Sequence, residues 1–365
     1  MAATAPFFPK TSTASITNPP KMTSVKKLAE SPGLTSIPPV YTFPSNPQDE
    51  ASSESEETIP TIDFSLLTSS DPNQRSKMIQ ELGKACQEWG FFMVINHGVS
   101  EVMTKEIIDA VKEFFDLPEE EKQEFQEKHV LDPIRYGTSF NISVDKVLCW
   151  RDFLKVFVHP EFHSLNNPPG FSDTALAYSE QVLKLTRELL RGISASLGLE
   201  DNYIDKALNL EKGLQILVAN FYPPCPQPEL AMGMLPHSDH GLLTILIQNE
   251  VGGLQVQHKG KWINVNVIPN SFLVNTGDQI EILSNGKYKS ILHRAVVNNR
   301  APRISIAMPL GPALNAIVRP APKLLDNQNN PPAYIAMKYK DYLEAQQSSI
   351  LDGKSSLDRV KIKMV

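Results

Sequence analysis

No apolar run in this 365-residue chain approaches the roughly 18 consecutive residues that a bilayer-spanning helix needs, so no membrane partnership of that kind is expected. Cysteine is scarce: Cys86, Cys149 and Cys225 are far apart and odd in number. That excludes a disulfide framework or a zinc knuckle and predicts three buried thiols in a reducing compartment, the cytoplasm. Basic charge is not in excess either. The 35 Lys and Arg stand against 41 Asp and Glu, and no basic stripe interleaves with aromatics, which argues against nucleic acid as a partner. Acid is missing before Glu30 in a stretch rich in Ser, Thr and Pro, but arginine is missing there too. The lack of arginine argues against a plastid transit peptide, and residues 1–23 read as a disordered extension.

What is present is enough chain to bury about three quarters of the surface its unfolded form exposes. Residues 24–44 predict one short helix and then proline-enforced extended chain. "QDEASSESEET" (48–58) is acidic and nearly without apolar residues, as a solvated linker would be. Order should begin with a short strand over 59–67. Asp71-Pro72 then starts a helix with Met78, Leu82, Ala85 and Trp89 on one stripe. A buried strand over 90–98, a helix over 101–117 stopped by Pro118, and a helix over 174–198 closed by Gly198 follow. From Leu214 short apolar runs succeed one another with no helix between them, and Asn285-Gly286 predicts a hairpin. The fold class expected is α+β, with a sandwich or jelly roll after a helical region and a last helix near 333–347.

"LPHSDHGLLTIL" (235–246) raises the question of chemistry. In an extended strand, side chains at i and i+2 share a face, so His237 and Asp239 point together while Ser238 and His240 point away. An isolated His-x-Asp is most often a surface coincidence. His293, in the apolar run "SILHRAVV", would by itself be a core histidine satisfied by a carbonyl. Together the three make a 2-His-1-carboxylate set that leaves metal positions open, although zinc can also use three such ligands. Further on, "PRISIAMP" puts Arg303 and Ser305 on one strand face and Ile304, Ile306 and Met308 on the other. A guanidinium aimed into a sandwich interior is costly unless it meets an anion, and its fork suits a carboxylate. The pattern predicts a small dicarboxylate, one end on Arg303 and the other on the metal.

The segments "ACQEWGFFMVINHGV" (85–99), "FFDLPEEEK" (114–122), "NFYPPCPQPEL" (220–230), "HSD" (237–239), "GDQIEILSNGKYKSILHRAV" (277–296) and "RISIA" (303–307) follow one another along the chain. In that order, over residues 24 to 355, the chain resembles the plant 2-oxoglutarate and Fe(II)-dependent dioxygenases of specialised metabolism. The resemblance implies a double-stranded β-helix (jelly-roll) core. The divisions expected are a mostly disordered extension and linker (1–55), an N-terminal region of helices with a few strands (56–205), the jelly roll (210–313), and a tail with a helix (314–365). It implies Fe(II) on His237, Asp239 and His293, and 2-oxoglutarate on Arg303 and Ser305, helped by Tyr222 and Asn220. O2 is the other co-substrate and ascorbate the reductant. The implied outcome is hydroxylation or oxidative O-demethylation of a small molecule by a monomer, with release of succinate and CO2. His97, in "INHGV", is structural in this pattern, and His159 and His163 read as surface residues.

"IRYGTSFN" (134–141) and "CWRDFLKVFVHP" (149–160) match the regions that close over the pocket in the family, which makes Tyr136, Phe140 and Lys155 the candidate substrate contacts. Flavonoid-oxidising relatives usually place an aromatic ring after R-x-S. Here Pro309 and Gly311 stand in that stretch, and Val218 and Ala219 stand where some carry a lysine. A compact aromatic, an indole or a terpenoid is equally open as substrate. Two rival classes share the fold: an iron oxidase that does without 2-oxoglutarate, and a non-catalytic binding protein, whose mark would be a lost ligand.

Overall fold

The computed structural model describes residues 23–44, 51–52, 58–126, 128–266, 268–326, 328–349 and 353–362. The disorder expected of residues 1–22 and the linker expected at 45–50 and 53–57 lie outside these described residues. The helices are α1 (Val25–Ala29), α2 (Phe64–Leu67), α3 (Pro72–Glu88), α4 (Glu101–Asp116), α5 (Glu119–Lys122), α6 (Phe171–Ser196), α7 (Tyr203–Leu208), α8 (Asp278–Leu283), α9 (Tyr339–Ser348) and α10 (Ser355–Arg359). The strands before the change of texture are β1 (Ala51–Ser52), β2 (Thr61–Asp63), β3 (Phe91–Ile95), β4 (Ile134–Thr138) and β5 (Asp152–His159). Those after it are β6 (Gly213–Tyr222), β7 (Met232–His237), β8 (Leu243–Gln248), β9 (Leu254–His258), β10 (Lys261–Asn264), β11 (Phe272–Thr276), β12 (His293–Val296), β13 (Arg303–Ala313), β14 (Ile317–Val318) and β15 (Met337–Lys338). Among the described residues no helix is long and apolar enough to cross a membrane.

Local chemistry accounts for the long helices. The Asp71 carboxylate accepts the Asn73 amide at 2.8 Å, and Pro72 occupies the first turn, where no N–H is needed. Met78, Leu82 and Ala85 are buried as their spacing predicts. Gly198, at φ +75°, donates its amide to the Ala195 carbonyl just past the end of α6.

An eight-stranded sheet runs β2-β3-β11-β8-β13-β6-β5-β4, and a five-stranded sheet runs β1-β10-β9-β12-β7. Phe91, Met93 and Leu273 from the first meet Leu254, Val256 and Ile263 from the second, giving the core of the jelly roll. The outer face of the large sheet is covered by α4 and α6. This explains the two faces of β13. Ile304, Ile306 and Met308 join the core shared with the helices, while Arg303, Ser305, Ala307 and Pro309 line a cavity between the sheets.

Five expectations are corrected. Asn285-Gly286 joins no hairpin; with φ of 53° and 81° it ends α8, and the Gly286 amide bonds back to the Glu281 carbonyl. The same left-handed pair serves both kinds of turn. Tertiary partners decide for the helix, because Asp278 and Glu281 meet the Tyr342 and Tyr334 hydroxyls in the interior. The segment 24–44 is packed rather than disordered. Val25, Ile37 and Tyr41 are buried, Tyr41 sits edge-on to Trp150, and the amides of Val25 and Lys26 donate to the Asp152 carboxylate. Ala51 and Ser52, expected in a solvated linker, pair in parallel with β10, since backbone pairing needs no apolar side chain. The strand expected over 59–67 stops at Asp63, whose carboxylate caps α2 through the Ser65 amide. The helix expected near 333–347 starts only at Tyr339, after β15 has paired with β14, and a further short helix, α10, follows it.

Gly311 on β13 lies directly under the Tyr339 ring of α9, where any Cβ would overlap it. Gly311→Ala is therefore expected to destabilise the fold by about 1–3 kcal/mol, read as a lower urea midpoint. A midpoint equal to the wild-type value would show that α9 does not press on β13.

Candidate functional site

Antiparallel pairing of β12 with β7 sets His293 opposite His237, with ring centroids 4.2 Å apart. The next paired position is Ala295 with Met234, so β7 uses one residue more than β12 over this stretch. Leu235 and Pro236 take up the difference as a bulge, at a proline that has no N–H for the ladder. His237 Nδ1 lies 2.8 Å from the Leu235 carbonyl, and His293 Nδ1 lies 3.2 Å from that of Ile291. Donation to those carbonyls puts the proton on Nδ1 and leaves each Nε2 a free lone pair.

Asp239 follows just past the end of β7. Its Oδ1 stands 3.8 Å from His237 Nε2 and 3.6 Å from His293 Nε2. Its Oδ2 accepts from Thr244 Oγ1 on β8 at 2.5 Å and from Asn275 Nδ2 on β11 at 2.8 Å. One carboxylate oxygen is thus tied to the large sheet and the other turned toward the imidazoles. One ligand atom from each of the three residues lies within 4.8 Å of the others. Burial first, and then the neighbouring His293, press His237 down to about 3. Burial alone would raise Asp239, but His293, His237 and the bonds from Thr244 and Asn275 hold it at about 2. At neutral pH His237 is neutral and Asp239 ionised, the states in which both donate to a metal.

The neighbours point away as the strand period predicts. Ser238 Oγ donates to Asp278 Oδ2 at 3.3 Å. His240 Nδ1 is 2.8 Å from the Tyr339 hydroxyl, and burial lowers this histidine to about 4. His240 touches the cavity wall but stays outside the three-residue cluster.

Arg303 is 2 % exposed. Its Nη2 donates to Gln248 Oε1 at 2.7 Å, Nη1 reaches Ser305 Oγ at 3.5 Å, and the guanidinium carbon lies 4.9 Å above the Tyr222 ring. Its Nε is buried without a partner, and among the described residues no acid pairs with it. Asn220, which faces Ser305 across the β6–β13 ladder, accepts from Arg151 Nη1 at 3.0 Å. Apart from Gln248, these residues and the cluster line one cavity, walled by strands of both sheets and by Gln346 and Gln347 of α9.

Phe140 and Lys155 also line it. Tyr136 does not. It pairs with Leu154, one residue out of step with Lys155, so its ring faces outward onto Phe114 and Phe115, and its hydroxyl donates to Glu119. His97 is structural, stacked on Phe272. His159 and His163 are half-buried rather than at the surface, because β5 is flanked by β4 and β6, and neither joins the cluster. Thr244, Asn275, Arg151, Gln346 and Gln347 line the cavity, and Gln248 meets Arg303, without having been singled out in the sequence. Thr244 and Asn275 did carry a signal, as polar residues within the apolar runs "LLTILIQ" and "FLVNTG".

Comparison with known proteins agrees with this geometry. The family model described as the 2OG-Fe(II) oxygenase superfamily matches residues 213–312, and the one described as non-haem dioxygenase in morphine synthesis N-terminal matches 59–174. The chain is 46% identical to 2-oxoglutarate-dependent dioxygenase 19 of Oryza sativa subsp. japonica, over 83% of this chain and 90% of that one. It is 38% identical to oxoglutarate-dependent flavonoid 7-O-demethylase 1 of Ocimum basilicum, over 84% and 82%. The crystal structure of JOX2 in complex with 2OG, Fe and JA superposes with a TM-score of 0.84 at 32% identity, covering 94% of this chain and 98% of that one.

Replacing Thr244 and Asn275 together by Val and Ala removes both donors to Asp239 Oδ2 and frees the carboxylate to rotate. Fe(II) affinity, titrated calorimetrically under argon, is expected to fall about 10–100-fold. Undiminished affinity would show that the two donors do not hold Asp239 in place for a metal.

Proposed function

The chain belongs to the 2OG-Fe(II) oxygenase superfamily, and from that premise we propose that His237, Asp239 and His293 hold Fe(II) while Arg303 and Ser305 anchor the far carboxylate of 2-oxoglutarate. The donor set fits: two imidazoles with free Nε2 atoms and one oriented carboxylate oxygen are the ligands a ferrous ion takes on one face of an octahedron. With 2-oxoglutarate and O2, iron supplies an oxidant for C–H bonds, and succinate and CO2 are released. The substrate is a small plant metabolite that is hydroxylated or oxidatively O-demethylated, with ascorbate as the accompanying reductant.

One observation carries the co-substrate assignment. A buried guanidinium with a spare N–H and no acidic neighbour is costly unless an anion completes it. Gln248 fixes its orientation and the Tyr222 ring covers one of its faces, so the remaining edge of the fork is what a carboxylate can take. Ser305 adds a hydroxyl on the same strand face, and Asn220 holds Arg151 beside it. Gln346 and Gln347 of α9 wall the cavity, where limiting water protects a reactive centre. On this reading the jelly roll (210–313) performs the chemistry, residues 56–205 cover it with helices and β4–β5, and the tail (314–365) closes it. The protein acts as a cytoplasmic monomer on a small molecule.

Anaerobic addition of Fe(II) and then 2-oxoglutarate should produce the visible charge-transfer band of the chelate. Arg303→Ala should raise the 2-oxoglutarate needed for half-saturation by about 10–100-fold. A colourless titration would favour an oxidase that does not use 2-oxoglutarate. Incubation of the loaded enzyme with a plant extract should then give mass shifts of about +16 for hydroxylation or about −14 for demethylation.

A further inference from the structure

Lys155 stands on the cavity side of β5, in a row that crosses the large sheet in register: Lys155 beside Val218, Val218 beside Ala307, Ala307 beside Leu246. All four line the cavity. The ammonium lies over the Phe140 and Phe153 rings at 5.7 and 5.3 Å and donates to Gln347 Oε1 of α9 at 2.7 Å. Among the described residues no acid pairs with it. The charged groups that act on it, Arg135 and Arg151, are cations, and after burial itself they add to holding its pKa well below the ordinary lysine value. Arg151, on the same cavity, already directs its N–H groups at the Ser139 carbonyl and at Asn220.

Burial and the two neighbouring cations disfavour the charged form of Lys155 while it stands unpaired, and an entering anion would offset both and restore the ammonium. The anion of the co-substrate is accounted for at Arg303, one row of the sheet beyond Ser305. A second cation on a different strand calls for a second anion, and the ligand still unaccounted for is the substrate. We propose that the substrate is a small carboxylic acid whose carboxylate pairs with Lys155, its apolar body lying along Val218, Ala307 and Leu246 toward the His237–Asp239–His293 cluster. This rests on the reading of the cavity as an oxidative active site. Two strand spacings, about 10 Å, separate β5 from β13, which is the reach of a compact acid. Gln347 supplies the amide that holds the ammonium in line while the carboxylate approaches.

The test uses the full chain loaded with Fe(II) and 2-oxoglutarate under argon. Benzoate, phenylacetate, hydrocinnamate and octanoate, each with its own primary amide, are titrated by calorimetry. At least one acid is expected to bind about tenfold or more tighter than its amide, and in Lys155→Met that preference should shrink to within about threefold. Binding by no acid, amides as tight as acids throughout, or a preference that survives in Lys155→Met would each overturn the proposal. Should Lys155→Met not fold, Lys155→Gln takes its place, and the acid-to-amide ratio of the wild-type protein decides by itself. The charge-transfer band of the same samples separates the two failures. A missing band removes the oxygenase reading, whereas a normal band without any acid preference removes this inference alone.

Discussion

Backbone pairing between β7 and β12 fixes the separation of two imidazoles before any ion is bound, and the rest of the site is arranged around that separation. A free pair of histidine side chains would sample many rotamers; here each ring is anchored by its own carbonyl, two residues back in the chain. The third donor comes from beyond the strand end, and its orientation is supplied by the opposite sheet through Thr244 and Asn275. The two sheets of the jelly roll therefore contribute different things, one the imidazoles and the other the angle of the carboxylate. A shift of either sheet by one residue would turn these donors to the wrong face.

The charges of the cavity follow from the same architecture. β13 crosses it with alternate residues turned inward, which brings Arg303 into the interior, while the intervening Ile304 and Ile306 hold the strand against the helical layer. The apolar half of the strand fixes the polar half. Arg303, Arg151 and Lys155 all face a space whose nearby acid, Asp239, is already engaged by hydrogen bonds. Such a cavity favours anions over neutral molecules of the same shape.

Much of this was legible in the residues because the period of a strand is short and strict. His237 with Asp239, and Arg303 with Ser305, could be placed on common faces without knowing which strands they pair with. The limit of that argument shows at Tyr136, where the side of the sheet was set by its partner Leu154 rather than by its own sequence. Asn285-Gly286 shows a second limit, since the dipeptide fixes a left-handed turn but not what lies before it. Buried tyrosines some fifty residues downstream decided that α8 is a helix. Gln346 and Gln347 were out of reach for the same reason: nothing local says that α9 folds back over a cavity built by strands elsewhere in the chain.

That return of α9 ties the wall of the pocket to a helix outside the jelly roll. Tyr339 completes His240, Tyr342 meets Asp278, and Gln347 steadies Lys155, so the final wall of the pocket belongs to a late stretch of the polypeptide. Loosening α9 would undo these three contacts together and open one side of the cavity to water.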